Sequence, residues 1–184
     1  MGTLLSYSSI NIVDLAICPN QHASAMFTPP NNAMEGAMPL IDVYLSESVL
    51  DVEDRQVLAD AIARQVREAE GYGDSRLAAG LSWVYLHALP DTAVTKSGAA
   101  PARPLWRIEI ATPIGSLGAD SKAALAERLA RACLAAEGTP WSPAEGRRVW
   151  VLYRDVAEGD WVAGAEVARV EAIRSAVARE RVAA

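Results

Sequence analysis

Sulfur and imidazole are scarce in this chain. Its 184 residues include two cysteines, Cys18 and Cys133, and two histidines, His22 and His87. So few, so far apart, they form neither a disulfide framework nor a zinc-ligand set, and a reduced, cytoplasmic setting is the natural expectation. Runs of Lys and Arg are also missing, and the net charge is −6, which argues against a nucleic-acid partner. No apolar stretch approaches the roughly 18–20 residues that span a bilayer, and the start lacks the positive segment of a signal peptide. No membrane partner is expected; the Met1-Gly2 start followed by Ser6 matches only a short myristoylation pattern that chance often produces. What is present, 51% apolar and 22% charged residues, is a globular composition rather than a disordered one.

Residues 1–37 contain no Lys or Arg and include the Asn- and Pro-rich stretch "NQHASAMFTPPNNAMEG". Two expectations compete for residues 1–38: a disordered extension, or a start assigned too far upstream. Codons for Met-Glu-Gly-Ala-Met can spell a purine-rich tract just before Met38, where a bacterial ribosome-binding site would sit. From Pro39 the chain becomes Ala- and Arg-rich and periodic. The domain is expected over 39–167, with an exposed helical tail over 168–184.

That domain repeats itself. The segment from Ile41, "IDVYLSESVLDVEDRQVLADAIARQVREAEG", aligns without a gap to the segment from Ile108, "IEIATPIGSLGADSKAALAERLARACLAAEG", 67 residues later. Trp83-Val84 recurs as Trp150-Val151 at the same offset. A constant offset across both a helix and a strand marks a duplication. Repeat one is taken as 39–94 and repeat two as 106–161, joined by the linker-like Thr92–Pro104.

Each unit reads β-α-β. Leu40 to Leu45 and Trp106 to Ala111 alternate as strands do. Helices follow from near Val52 to Glu70 and from near Ala119 to Glu137. Leu58, Ile62 and Val66 form the apolar stripe of the first, and Leu125, Leu129 and Cys133 that of the second. Asp51 and Gly118 suit the N-caps, and Gly71 and Gly138 the C-terminal stops. Second strands are predicted at Leu81–Leu89 and Val149–Val156, each entered by a parallel crossover. The expected fold class is α/β (α+β): tandem β-α-β units making a four-stranded sheet with two helices on one face. The other face is expected to be bare and apolar, and self-association is the simplest cover for it.

"MPLIDVYLSE", the duplicated helix, and "VWVLYRDVAEGDWVAGAEV" together resemble the tautomerase superfamily, whose relatives include 4-oxalocrotonate tautomerase, malonate semialdehyde decarboxylase and the cis-3-chloroacrylic acid dehalogenases. The resemblance covers Pro39 to about Val167 and matches the fused, long members. It implies a tautomerase/MIF-like fold, a homotrimer, no cofactor, and a small carboxylate-bearing substrate. It also implies that Pro39, exposed as an N-terminal residue by removal of Met38, is the catalytic group. A free prolyl nitrogen is a secondary amine; an α-amino group titrates near about 7.7–8, and desolvation carries it toward neutrality. Such a group moves protons between carbon and oxygen of a 2-keto or enol acid. Isomerisation is the default reaction, with hydration or decarboxylation of a small unsaturated or 3-oxo acid as the alternative. If the extension stays attached, Pro39 is an amide without a basic nitrogen. The fold is then an inactive oligomeric binding or scaffold module.

The chain departs from the pattern where active members place an arginine after a repeat's first strand: Val49 and Leu117 stand there. Candidate replacements for gripping a carboxylate, which a planar guanidinium does with two oxygens at once, are Arg103 and Arg107 around the second unit's first strand and Arg147 and Arg148 before its last strand. Arg107 is favoured because its repeat-one counterpart, Leu40, adjoins Pro39. Trp161 is a candidate pocket wall on the closing hairpin, and Tyr153 a candidate hydrogen-bond donor to an enolate oxygen. Trp106 occupies the proline position of repeat two, so that unit carries no second amine.

Overall fold

The computed structural model describes residues 39–73 and 75–183. The expectations for residues 1–38 lie outside the described residues. The elements run β1 (Leu40–Ser46), α1 (Val52–Ala69), α2 (Arg76–Leu81), β2 (Trp83–Leu89), β3 (Trp106–Pro113), α3 (Ala119–Ala136), α4 (Pro143–Gly146), β4 (Val149–Val156), β5 (Val162–Ala163), β6 (Glu166–Val167) and α5 (Val170–Ala183).

The duplication is carried into three dimensions. α1 and α3 begin and end 67 residues apart. Asp51 caps α1 by accepting the Asp54 N–H at 2.8 Å, and Gly118 caps α3. Both helices close with a left-handed glycine, Gly71 at φ +83° and Gly138 at φ +71°. In each the next residue bonds back, Tyr72 N–H to Arg67 C=O at 2.8 Å and Thr139 N–H to Leu134 C=O at 2.7 Å. The sheet order is β2-β1-β3-β4. β1 and β2 are parallel with Leu40 opposite Trp83; β3 and β4 are parallel with Trp106 opposite Val149, so both crossovers have the same register. β1 and β3 run antiparallel about a pseudo-twofold axis that passes between Asp42 and Glu109, paired equivalents 67 residues apart.

One sheet face carries the core. Ile41, Val43, Ile108 and Ile110 are fully buried against Leu58, Ile62, Val66, Leu125, Leu129 and Cys133. Burial pushes the Cys133 thiol up to about 12, consistent with inert packing. The opposite face corrects the expectation of a bare apolar surface. Aromatic and aliphatic groups stand exposed on its outer strands, Trp83, Tyr85, Trp150 and Leu152, while its middle is charged. Asp42 and Glu109 would repel across the axis. His87 holds Asp42 at 2.6 Å, and Arg107 and Arg154 hold Glu109 at 2.6 and 3.6 Å.

The tail also differs from the exposed helix expected. α5 buries Ile173, Ala176 and Val177, and Ile173 and Val177 pack with Tyr72 and Ala78 in a second, small core. Glu180 accepts from the Arg76 N–H at 2.9 Å and from the Ser75 hydroxyl, fastening α5 to the start of α2. The tail's apolar positions recur every three to four residues, but only the presence of α2 gives that stripe something to cover.

Candidate functional site

Because β1 and β3 are antiparallel, the two repeats present equivalent positions at opposite ends of the sheet. One end holds Pro39, the other its counterpart Trp106. From Leu40 to Tyr44, which pairs with Arg107, β1 advances about 13 Å.

Pro39 is buried at the entry to β1, and its carbonyl accepts the Trp83 N–H at 3.1 Å. α1 crosses the sheet and returns its C-terminus to this end, bringing Glu70 and Tyr72. β3 finishes here, beside the turn into α3. Arg174 reaches in from α5: its Nη2 donates to the Gly115 carbonyl of that turn at 3.5 Å, and its charge lies near enough to Tyr72 to act on that hydroxyl. The Tyr72 hydroxyl is held above its ordinary value by burial first and by the nearby Glu70 charge second, with Arg174 opposing both.

Glu70 is the unusual group. Both of its carboxylate oxygens are shielded from solvent, and neither has a hydrogen-bond partner among the described residues. Burial alone pushes its carboxyl up to about 8. The repeat explains the orphan. Its counterpart Glu137 accepts from the Trp106 indole N–H at 3.0 Å and is ion-paired with Arg148. Burial raises the Glu137 carboxyl, but hydrogen bonds from Arg148, Trp106 and Thr139 outweigh it and leave it below the ordinary value. In repeat one the equivalents of Trp106 and Arg148 are Pro39 and Leu81, and neither side chain is a donor.

At the Trp106 end lies a cavity of about 660 Å³. Arg148 lines it but is committed, to Glu137, to Glu145 at 2.7 Å and to the Pro104 carbonyl. Its guanidinium is held above its ordinary value by the Glu137 hydrogen bond first, against burial. Arg107, also in the lining, lies 4.1 Å over the Tyr44 ring. Arg103 braces Glu145 at 3.2 Å and Thr139 at 2.9 Å.

The expected site residues therefore divide. Pro39 occupies one end, and the hairpin carrying Trp161 leaves β4 at that same end. Arg103, Arg107 and Arg148 gather at the other, and within one chain they do not meet Pro39. Tyr153 faces the helices: its hydroxyl donates to the Lys122 carbonyl at 2.7 Å, and burial pushes it up to about 12. Glu70, Tyr72 and Arg174 escaped the sequence reading. Glu70 left one signal, its recurrence as Glu137 in the duplicated Ala-Glu-Gly; Arg174 left none, since nothing local says which surface a tail helix covers.

No protein-family model matches the sequence, and no curated protein does. Solved structures do. A fused 4-OT, wild type, in an asymmetric trimer is 21% identical over 74% of this chain and 97% of its own, with a TM-score of 0.56. The chain has the tautomerase-superfamily fold. Pt0534 inactivated by 2-oxo-3-pentynoate is 19% identical over 70% of this chain and 95% of its own, at TM-score 0.57. N1, a member of the cis-3-chloroacrylic acid dehalogenase family, is 18% identical over 71% and 83%, also at 0.57. These likenesses extend to the fused, two-unit form of the tautomerase fold. Among the described residues no helix is long and apolar enough to cross a membrane.

Proposed function

We propose that this chain, when Pro39 is its first residue, is a cofactor-independent enzyme that moves a proton between carbon and oxygen of a small 2-keto or enol carboxylic acid. The observation that carries the reading is Pro39 itself: it follows Met38 directly and opens the first strand of a tautomerase fold, at the end where Glu70, Tyr72 and Arg174 converge. In the isomerase reaction the neutral prolyl nitrogen takes the enol hydroxyl proton and delivers it to carbon, leaving the ketone. Arg174, exposed and on the rim, holds the substrate carboxylate in place of the missing turn arginines. Trp161 forms a wall. A homo-oligomer, with the trimer of the fused 4-OT as its pattern, supplies the remaining enclosure.

A second reading draws on Glu70. A carboxylate in the position of Glu137 accepts the N–H of a free Pro39, favours the protonated amine, and suits it to act as an acid in hydration or decarboxylation. The pH profile separates the two readings: a rate rising through the amine's titration indicates the base, and a rate falling indicates the acid.

The decisive comparison uses a chain that starts at Pro39 after Met38 removal, its Pro39→Ala variant, and the 184-residue chain. Ketonisation of phenylpyruvate and 2-hydroxymuconate is followed by absorbance. The short chain is expected to exceed Pro39→Ala by at least about 100-fold, the range of one acid-base group. It should also be labelled on Pro39 by 2-oxo-3-pentynoate, seen in the N-terminal peptide mass. Equal rates in the short chain and its variant reject proline catalysis. Intact mass of the protein from its native host showing the first 38 residues attached favours the inactive scaffold instead.

A further inference from the structure

The cavity at the Trp106 end is not part of the Pro39 site, and its chemistry is distinct. Among the described residues four cations line it, Lys96, Arg107, Arg147 and Arg148, and no carboxylate does, in a chain whose net charge is −6. Arg148 and Arg107 are spent on internal partners. Lys96 and Arg147 have no ion-pair partner among the described residues, and both stand exposed at the cavity wall. The rest of the lining is largely apolar: Leu45, Leu89, Val94, Leu105 and the indole of Trp150, which is 68% exposed. The volume falls inside the roughly 300–1,000 Å³ of small-molecule sites.

The cations belong to repeat two alone. The repeat-one equivalents of Arg107, Arg147 and Arg148 are Leu40, Gly80 and Leu81. The wall holding Lys96 comes from the linker, where a short bridge between Lys96 and Ala99 closes a turn through Ser97 at φ +53° and Gly98 at φ +80°. That turn folds a segment of linker composition against the sheet end. The place of the catalytic amine is taken by Trp106, whose indole N–H is engaged by Glu137.

We propose that this cavity is a second, non-catalytic ligand site for a small aromatic monocarboxylate. Its carboxylate lies between Lys96 and Arg147, and its ring against Trp150 and the leucine wall. The duplicated domain thereby carries one end that reacts and one that binds.

The test uses the Pro39→Ala chain, ¹⁵N-labelled, titrated with phenylacetate while the indole N–H resonances of its five tryptophans are recorded. Saturable shifts are expected at Trp150 and Trp106, with Trp83 and Trp161 unmoved. The Lys96→Gln/Arg147→Gln double variant should keep the ligand-free spectrum and lose at least about tenfold in affinity, the loss of one charge-assisted contact. Arg147→Lys should fall between the two, and uncharged benzyl alcohol should not saturate. Shifts centred on Trp161 or Trp83, an unchanged affinity in the double variant, or no saturation by about 20 mM phenylacetate would each overturn the proposal. Because Pro39 is absent from the titrated protein, none of these outcomes bears on proline catalysis.

Discussion

Replacing Glu70 by Gln should stabilise the 184-residue chain, and only above acidic pH. Glu70 has an unfolded value of 4.5 and a folded value of about 8, raised by burial, with no hydrogen-bond partner among the described residues to offset it. Below pH 4.5 both states are protonated and the group contributes nothing to the pH dependence. Between 4.5 and 8 the unfolded chain ionises while the folded one resists, so stability falls as pH rises; above 8 both are ionised and the loss is complete. At about 1.4 kcal/mol per unit, the full shift sets a ceiling near 5 kcal/mol. Relaxation of the surroundings and water entry around an ionised carboxylate bring the expected effect to about 1–3 kcal/mol. For a domain of this size that is a rise in Tm of roughly 3–10 °C at pH 8.5, vanishing at pH 4. Thermal unfolding of parent and variant by circular dichroism from pH 4 to 9 measures it. Curves that stay parallel across the range would show that Glu70 is not an uncompensated buried acid. In the chain that starts at Pro39, a prolyl ammonium is added at the same end of the sheet, its positive charge favours the ionised carboxylate, and the parent's downward slope should shrink.

The largely buried Glu137–Arg148 pair, with Trp106 also bonded to Glu137, should respond the opposite way to Glu70: Glu137→Gln removes the guanidinium's ion pair with Glu137, leaves it Glu145 and the Pro104 carbonyl, and costs about 1.5–3 kcal/mol, read as a lower urea midpoint at unchanged slope. Ile173→Ala, at 1% exposure in the small core between α5 and α2, should cost about 2–4 kcal/mol and expose the tail to protease before the sheet unfolds. Arg174→Gln in the short, Pro39-initiated chain should lower kcat/KM for a carboxylate substrate tenfold to a hundredfold, about 1.5–3 kcal/mol, mostly through KM. An unchanged KM would remove Arg174 from the site.

The helices were legible to within a residue because their signals are local. An apolar residue every three to four positions, an Asp or Gly at the start and a glycine just past the end specify α1 and α3 without reference to anything else. Strand β2 begins two residues later than expected, since Leu81 still belongs to α2, a short helix whose cap, Ser75, accepts from Ala78 at 3.1 Å. The candidate arginines were visible as residue types, yet their grouping was not. Arg107 sits one position after Trp106 just as Leu40 follows Pro39, and equivalence in the repeat suggested adjacency in space. An antiparallel pairing of the two units turns equivalence into opposition and sends Arg107 to the far end of β1.

By itself, then, the order of residues determined the duplication, the β-α-β units, the buried stripes and the place of Pro39 directly after Met38 at the entry to the first strand. These follow from periodicities of two and 3.6 and from caps a few residues long. Only the tertiary structure decided which end of the sheet each group occupies. It left Glu70 without a hydrogen-bond partner among the described residues where Glu137 is satisfied, carried Arg174 on a packed tail to the Pro39 end, and brought Lys96, Arg107, Arg147 and Arg148 around a cavity at the other. Those outcomes depend on how one unit's strands lie against the other's, and contacts between residues tens of positions apart leave no period in the chain to read.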